Sequence, residues 1–329
     1  MPPAGRGADF DDWARPRRLQ LEAVLARWVG VDVPEPLAEP MRYAVLGGGK
    51  RLRPLLVLAA AEAVDGVPAA AWRAACAVEL IHAYSLVHDD MPSMDNDVLR
   101  RGKPTVHVQF GEASALLAGD ALQALAFELL TPEPAPGGLA ARLAVAATPA
   151  DVADAVGTDG GVAGSVAPAI QARLCRLLAR AAGARGMAGG QAIDLASVGR
   201  QLAAEELRTM HRLKTGALLQ SSVLMGAACG EPDAGALNAL ARYGAALGLA
   251  FQVMDDVLDV TADTATLGKT AGKDEASDKP TSVSLWGLEA ARGYARRLLD
   301  EALAALHDSA LPRTDALAAL ARQVVARAY

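Results

Sequence analysis

Apolar residues recur along most of the chain at the three- and four-residue spacing of amphipathic helices, and no segment alternates convincingly in the manner of a strand. This pattern predicts roughly nine helices. They cover residues 19–28, 54–63, 72–87, 113–130, 170–182, 205–228, 234–259, 285–306 and 314–326. Pro54 suits a helical first turn, and Thr314 followed by Asp315 is typical of a helix start. We therefore predict an all-α fold.

Composition supports the same fold class. The chain has 329 residues, of which 52% are hydrophobic but only 4% aromatic. Alanine and leucine supply most of the apolar residues, whereas a sheet protein would favour valine, isoleucine and tyrosine.

The regular pattern is interrupted over residues 131–165, where TPEPAPGG and TDGGVAGS crowd proline and glycine together. A domain linker is one interpretation of this stretch. However, the candidate site described below draws on residues from both sides of it. We therefore predict a single domain over residues 1–329 with a flexible or partly helical insertion.

Charge and cysteine content exclude several classes of protein. Lysine and arginine total 32 against 38 aspartates and glutamates, so the chain lacks the basic field that nucleic-acid binding needs. The three cysteines are far apart and have no metal-ligand spacing, which favours a reducing cytoplasm. The N-terminal residues do not resemble a secretory signal, and no run of about 18 uncharged apolar residues predicts a membrane span.

Two clusters of carboxylates each follow a strongly apolar helix. The first is DDMPSMDND, beginning at Asp89, and the second contains Asp255, Asp256 and Asp259. Two carboxylates about 4 Å apart repel by ~4 kcal/mol at an effective dielectric near 20, so a cation is expected among them. A solvated helix end is the alternative for either cluster alone, but two such clusters favour a metal site.

The donor types favour magnesium. Ligand sets of oxygen without histidine or cysteine select magnesium, calcium or manganese over zinc. Neither cluster has the loop pattern of an EF-hand. Magnesium commonly takes one or two carboxylates and completes its shell with water and phosphate oxygens, so a phosphorylated substrate is expected.

The first cluster poses a geometric problem. Asp89 and Asp95 are six residues apart, which is about 240° around an ideal helix, so a straight helix would not put them on one face. Pro92 lacks an amide hydrogen and disrupts a helical turn. We therefore predict that the helix breaks near Pro92 and that Asp95 swings back towards Asp89.

Basic residues near these clusters are suited to phosphate. They occur in GGGKRLRP before the first cluster, in RRGKP after it, and in the later segments KTG, GKT and DKPT. Arginine forks bind phosphate oxygens bidentately, and glycines allow the backbone to approach closely. The glycine-lysine segment is not a Walker loop, and each lysine alone could be an ordinary surface residue. Together the cations suit two diphosphates.

Six stretches of the chain together resemble the trans-isoprenyl diphosphate synthases, or polyprenyl synthetases. They are GGGKRLRP, ELIHAYSLVHDDMPSMDNDVLRRGKPTVH, GEASALLAGDALQALAFELL, GGQAIDL, HRLKTGALL and GLAFQVMDDVLDVTADTATLGKT. The resemblance covers about residues 41–290, and its paired aspartate motifs stand in the family's order. It implies a helical bundle around a deep central cavity and a homodimer. It also implies a magnesium-dependent prenyltransferase that makes farnesyl diphosphate from isopentenyl diphosphate and dimethylallyl or geranyl diphosphate.

The resemblance further implies roles for individual residues. Three magnesium ions would be bound by Asp89, Asp95 and Asp255, with support from Asp90, Asp256 and Asp259. The leaving diphosphate would be neutralised by Arg100, Lys214, Lys269 and Lys279. Isopentenyl diphosphate would be bound by Lys50, Arg53, His82 and Arg101. The carbocation would be faced by the oxygen atoms of Thr215 and Gln252. For His82 a core position, and for Thr215 and Gln252 ordinary capping or packing, remain the alternatives.

Product length depends in this family on the bulk beneath the first aspartate motif. Tyr84 lies five residues before Asp89, about 7.5 Å deeper along the helix. A tyrosine there resembles the farnesyl-forming members, although the neighbouring Ser85 is small. Geranylgeranyl diphosphate synthase, a terpene cyclase, a non-catalytic partner subunit and a purely structural helical protein are the alternatives. The chain departs from the family pattern at Val98, where many relatives extend the acidic run, and in its long insertion.

Overall fold

The computed structural model describes residues 6–132, 165–200, 202–261 and 281–326, and in these ranges the chain is almost entirely helical. Its helices are α1 Arg6–Trp28, α2 Glu35–Val45, α3 Leu52–Ala63, α4 Pro68–Asp89, α5 Val106–Phe110, α6 Glu112–Leu130, α7 Pro168–Ala182, α8 Met187–Ala196, α9 Ala204–His211, α10 Ala217–Ala228, α11 Ala234–Thr261, α12 Ser282–Trp286, α13 Leu288–Asp308 and α14 Asp315–Ala326. A π-helical segment, Arg212–Gly216, joins α9 to α10. The all-α prediction is confirmed.

Several boundaries differ from the sequence prediction. The pattern missed α2, α5 and α8, and it underestimated α1, which continues through Pro16. The helix predicted over 205–228 contains the π-helical segment. The helix predicted over 285–306 is divided at Gly287, whose φ of 81° lies in the left-handed region that glycine adopts easily. The predicted insertion over 131–165 lies almost wholly outside the described residues, and the single domain stays a prediction.

Within the described ranges, the strands form one small hairpin. It pairs β1 (Leu99–Arg100) with β2 (Lys103–Pro104) in antiparallel register. Arg101 and Gly102 form its turn, and both have positive φ, at 53° and 74°. Two consecutive residues with positive φ are the requirement of the turn that best matches strand twist. The hairpin therefore directs two adjacent arginines, Arg100 and Arg101, to different partners.

The core forms between a few central helices. The helix α4 packs between α3 and α6, and α11 packs against α10 and α13. Apolar residues occur on every side of α4, as expected of a helix that is surrounded by protein. On α11, the fully buried Tyr243 donates a hydrogen bond of 2.8 Å to the carbonyl of Leu317. The first aspartate motif therefore begins at the end of one buried helix, and the second lies on the last turns of another.

Among the described helices, α6 is long and apolar enough to cross a bilayer by length and composition, with a mean hydropathy of 1.4. One side of this helix, including Ala118 and Leu122, is fully buried in the core beside α4. A core helix of this kind passes the same test. The absence of a membrane span stays a prediction from the sequence.

Candidate functional site

The first aspartate motif lies where α4 ends and the chain turns back. The helix stops at Asp89. Pro92 follows three residues later, and helical backbone is disfavoured at Met91, the residue directly before it. The amide of Asp95 then donates to the carbonyl of Asp89 at 2.9 Å, across six residues. The predicted break is therefore confirmed, and the turn brings Asp95 back beside the end of the helix.

The aspartates of this motif differ in burial. Asp89 and Asp95 are half-buried, whereas Asp90 is only 2% exposed. The guanidinium of Arg100 donates to both oxygens of Asp90, at 2.5 to 3.0 Å. Burial alone would lower the pKa of Arg100. The hydrogen bonds and the negative charge of Asp90 outweigh that effect, so the pKa of Arg100 is raised overall. Arg100 thus binds a buried aspartate of the motif itself. The sequence analysis expected Arg100 to bind the diphosphate and did not predict this contact.

The second aspartate motif lies on the last turns of α11. Asp255 is half-buried, while Asp256 and Asp259 are 2% and 4% exposed. Asp256 accepts hydrogen bonds from Gln252 Nε2 at 2.9 Å and from the backbone amide of Ser282 at 2.7 Å. Burial raises the pKa of Asp256 to about 7. The side chain of Asp256 therefore points into the protein, and Asp255 is the more accessible carboxylate of this pair.

The π-helical segment connects the two motifs. Lys214 Nζ lies 2.6 Å from Asp194 Oδ2 and 3.8 Å from Asp89 Oδ2. The next residue, Thr215, donates its hydroxyl to Gln252 Oε1 at 2.6 Å. Gln252 lies less than one turn before Asp255 on α11. The two motifs, which lie far apart in the sequence, therefore meet at one site on either side of Lys214 and Thr215.

Glycines allow the helices to approach this segment closely. A Cβ atom at Gly190 on α8 would collide with the backbone of Lys214. A Cβ atom at Gly248 on α11 would lie 2.7 Å from the Cα of Gly216. A π-helical turn inserts one extra residue per turn and is frequent at functional sites. Here the turn directs Lys214 towards α4 and α8 while Thr215 faces α11.

A second group of predicted residues forms a basic region beside this site. His82 is neutral, because burial and the nearby charges of Arg53, Arg101, Arg100 and Arg51 lower its pKa well below the usual value. The guanidinium of Arg53 lies 5.9 Å from the ring centroid of Phe251, the residue before Gln252. The arginines predicted to bind a diphosphate therefore converge around His82, next to the region that joins the aspartate motifs.

The glycine-rich segment contributes directly to this basic region. Arg101, in the hairpin turn, donates a hydrogen bond to the carbonyl of Gly48. Gly49 has a φ of 145°, which favours glycine, and a Cβ atom there would lie 2.9 Å from Arg101 Nη1. Lys50, in the same segment, is exposed. Burial lowers the pKa of Arg101.

The residues predicted to limit product length lie one to two turns before Asp89 on α4. The ring of Tyr84 meets the ring of His88 edge to face, with centroids 5.7 Å apart. Ser85 donates its hydroxyl to the carbonyl of His82 at 2.8 Å. On the facing helix α6, a Cβ atom at Gly119 would collide with His88. Tyr84 and His88 therefore occupy the space between α4 and α6 below the first motif.

Some residues at the site have no assigned role in the sequence analysis, and two predicted residues are outside the described ranges. Asp194, in the GGQAIDL stretch, is 4% exposed and pairs with Lys214. His211 lies 3.8 Å from Asp256, and burial lowers its pKa to about 4. Both residues lie in stretches that resemble the family, but spacing along one helix did not indicate their roles, because their contacts join separate helices. Lys269 and Lys279 lie outside the described residues.

The donor set of the two motifs fits magnesium. Asp89, Asp95 and Asp255 supply only oxygen and are all half-buried, so a hydrated ion can reach them. Among the described residues, no three acidic, histidine or cysteine side chains already converge as a complete metal site.

Comparison with known proteins gives a consistent result. The family model described as polyprenyl synthetase matches residues 34–315. A probable farnesyl diphosphate synthase of Sinorhizobium fredii is 45% identical over 320 residues, 95% of this chain and 87% of that protein. Geranylgeranyl pyrophosphate synthase 7 of Arabidopsis thaliana is 40% identical over 322 residues, 97% of this chain and 84% of that protein.

A solved structure shares the fold. It is a geranyltransferase from Helicobacter pylori complexed with magnesium and isoprenyl diphosphate, with 33% sequence identity and a TM-score of 0.77. The match covers 96% of this chain and 97% of that one. With the family model matching most of the sequence and two aspartate motifs meeting at one site, the chain belongs to the polyprenyl synthetase family.

Proposed function

We propose that this chain is a short-chain trans-prenyltransferase that condenses isopentenyl diphosphate with dimethylallyl or geranyl diphosphate to give farnesyl diphosphate. The observation that carries this proposal is the position of Lys214 and Thr215 between the two aspartate motifs. A diphosphate held between the motifs would have Lys214 beside it. The cation formed when that diphosphate leaves would lie near Thr215 and Gln252.

Asp89, Asp95 and Asp255 are the proposed magnesium ligands, and three ions are proposed with substrate bound. Magnesium, when present, neutralises the charge that develops on the leaving diphosphate. Asp90, Asp256 and Asp259 support the ligands from buried positions, as the hydrogen bonds of Asp90 and Asp256 suggest. Lys214, with Arg100, Lys269 and Lys279, is proposed to add positive charge on the same side.

Thr215 and Gln252 are proposed to stabilise the allylic cation. Gln252 Nε2 donates to Asp256 and Gln252 Oε1 accepts from Thr215, so both ends of the amide are fixed by hydrogen bonds. An amide oxygen has two lone pairs, and the second remains for a nearby positive charge. Fixed dipoles stabilise a developing charge because they need no reorganisation during the reaction.

Isopentenyl diphosphate is proposed to bind to Lys50, Arg53, His82 and Arg101. The proximity of Arg53 to Phe251 supports a homoallylic site directly beside the allylic one. In such an arrangement the double bond of isopentenyl diphosphate attacks the cation, and a new carbon–carbon bond forms. The resulting cation then loses a proton, which the departing diphosphate accepts.

Farnesyl diphosphate is the proposed product because Tyr84 is bulky and lies between α4 and α6 beneath the first motif. Geranylgeranyl diphosphate is the second candidate, since Ser85 is small and a geranylgeranyl pyrophosphate synthase is 40% identical. Replacement of Tyr84 by alanine is expected to lengthen the product. An unchanged product distribution would remove Tyr84 from the determination of length.

One assay tests the function. The protein is incubated with labelled isopentenyl diphosphate, Mg²⁺ and either dimethylallyl or geranyl diphosphate, and the products are separated by chromatography after dephosphorylation. A fifteen-carbon alcohol is expected. A twenty-carbon alcohol would favour the second candidate. A cyclic hydrocarbon formed without isopentenyl diphosphate would indicate a terpene cyclase, and no turnover would indicate a non-catalytic subunit.

We propose that the protein is a homodimer and that it is located in the cytoplasm. Leu116 and Leu117 on the outer side of α6 are 47% and 58% exposed, which suits an interface with a second copy. Light scattering after gel filtration tests this, with Leu117→Glu expected to shift the mass towards a monomer. The three cysteines are free thiols in the structure, as suits a reducing compartment.

A further inference from the structure

Arg51 is the one basic residue of the GGGKRLRP segment to which no substrate role has been assigned, and its surroundings are unusual. The residue is 4% exposed. Its guanidinium donates to Glu79 Oε1 at 2.5 Å and, with two nitrogens, to both carboxylate oxygens of Glu22 at 2.7 and 3.0 Å. It also donates to the carbonyl of Val45 at 2.7 Å. The side chain thus joins α1, the end of α2 and α4.

The backbone of Arg51 shows what these contacts hold in place. Its φ is 51°, in the left-handed region, and it stands directly before α3. A residue other than glycine adopts this conformation only when its surroundings compensate for the strain. Lys50 precedes this turn and Arg53 lies in the first turn of α3. The conformation of Arg51 therefore determines how these two proposed diphosphate ligands are oriented relative to each other.

The charges around Arg51 also bear on the basic region. Two carboxylates, the buried Glu79 and the partly exposed Glu22, face one guanidinium, so this cluster carries an excess negative charge. Burial and the nearby charges of Arg51 and Arg100 lower the pKa of Arg101, whereas Glu79 and Glu22 raise it in part. Arg101 in turn donates to the carbonyl of Gly48 in the same segment. Several cations repel one another near His82 when no substrate is bound. The excess negative charge behind them reduces that repulsion.

Glu22 lies on α1, outside the residues 34–315 that the family model matches. We propose that Arg51 is a positioning residue for the isopentenyl diphosphate site, held by Glu79 on α4 and by Glu22 on the N-terminal helix. This inference rests on the proposed function. It makes α1 a part of the homoallylic site, although no residue of α1 need touch the substrate.

The experiment compares Glu22→Gln and Arg51→Lys with the wild-type protein in steady-state assays that vary each substrate separately. Glu22→Gln removes the negative charge of one carboxylate partner, and Arg51→Lys removes the guanidinium fork while it keeps the positive charge; both variants keep side chains of similar length. We expect the KM for isopentenyl diphosphate to rise by about tenfold, which is typical when a residue that orients the substrate-binding side chains is changed. The KM for the allylic diphosphate and kcat should stay within about twofold of wild type.

A matched control is Glu62→Gln. Glu62 on α3 also binds α1, because it accepts hydrogen bonds from Arg17 Nε at 2.8 Å and from Trp13 Nε1 at 2.8 Å. It should lower the thermal midpoint with no change in either KM. Equal rises in the isopentenyl KM for Glu22→Gln and Glu62→Gln would overturn the inference, because loss of α1 packing would then suffice.

The wild-type assay separates this inference from the proposed function. If the wild-type protein forms no prenyl product, the proposed function fails before the variants are compared. If the wild-type protein is active but Glu22→Gln and Arg51→Lys leave the isopentenyl KM unchanged while still folded, the inference about Arg51 fails and the function stands. If both substrate KM values rise together, the role of Arg51 is general and the specific inference is overturned.

Discussion

The two aspartate motifs meet at one site but reach it by different backbone conformations. In the first motif the helix ends at Asp89, and the chain turns back until the amide of Asp95 donates to the carbonyl of Asp89. In the second, α11 continues without interruption through Thr261. A spacing of four residues repeats on one helical face, whereas a spacing of six does not. The sequence spacing thus decides whether the helix must end.

The buried aspartates of the two motifs are also stabilised differently. Asp90 pairs with Arg100, which carries a permanent positive charge. Asp256 accepts hydrogen bonds from Gln252 and Ser282. His211, 3.8 Å away, is neutral because burial lowers its pKa to about 4. A cation keeps a buried carboxylate ionised more effectively than neutral donors do. The ionisation of Asp256 in the second motif should therefore depend more strongly on pH than that of Asp90 in the first.

The largest expected effect is the loss of activity on removing a half-buried aspartate from either motif. Asp89→Asn and Asp255→Asn are each expected to lower kcat/KM by about 1,000-fold, because each would lose a proposed magnesium ligand. Steady-state kinetics at saturating Mg²⁺ measure this. The control is Asp120→Asn on α6, whose carboxylate is exposed. A loss of less than tenfold in either variant would contradict the proposed ligand set.

Lys214 lies between the motifs, so its removal should affect both. Lys214→Met is expected to lower kcat by about 100-fold, because a positive charge beside the leaving diphosphate is lost. Lys214→Arg should retain more activity, since it keeps the charge. Single-turnover rates with geranyl diphosphate distinguish this effect from slower product release. Equal activity for the methionine and arginine variants would show that charge at this position is unimportant.

A smaller effect is expected from the turn in the first motif. Asn96 has a φ of 50°, a conformation that asparagine tolerates and β-branched residues do not. Asn96→Val is expected to raise the Mg²⁺ concentration for half-maximal activity by about tenfold, because the turn that places Asp95 would be strained. Asn96→Gly, which adopts the same φ easily, is the control and should match wild type. The second motif has no corresponding turn.

The smallest effect concerns stability and pH. Burial raises the pKa of Asp256 to about 7, above the value of 3.8 for an ordinary aspartate. The folded protein therefore holds this proton more tightly than the unfolded chain. The resulting stability is present below about pH 4 and is lost as the pH rises through about 7. Asp256→Asn cannot ionise and should not show this loss.

Urea unfolding in EDTA at several pH values tests this expectation. The free energy of unfolding of Asp256→Asn, relative to wild type, is expected to increase by about 2 kcal/mol between about pH 5 and pH 8. Asp90→Asn provides the comparison, because its partner Arg100 does not titrate in this range. Parallel pH curves for wild type and Asp256→Asn would show that Asp256 does not titrate as its burial suggests.

Local signals in the sequence predicted a large part of the fold. Long periodic segments such as α6 and α11 were found because their apolar residues repeat with the helical period. The short helices α5 and α8 were missed, since five and ten residues leave little room for a period to show. Gly287 interrupts a helix that looked continuous, because a positive φ leaves no mark on the hydrophobic pattern. The π-helical segment interrupts another, and its five residues are too few to change the pattern visibly.

By itself, the sequence determined which groups the site offers: oxygen donors in two motifs, basic side chains near them, and a break near Pro92. These properties depend on residue type and on spacing within one helix. Only the tertiary structure decided that Arg100 pairs with Asp90, that Lys214 contacts Asp194, and that Arg51 joins α1 to α4. Such pairs come from helices distant in sequence, and their partners are selected by packing, which leaves no local pattern to read.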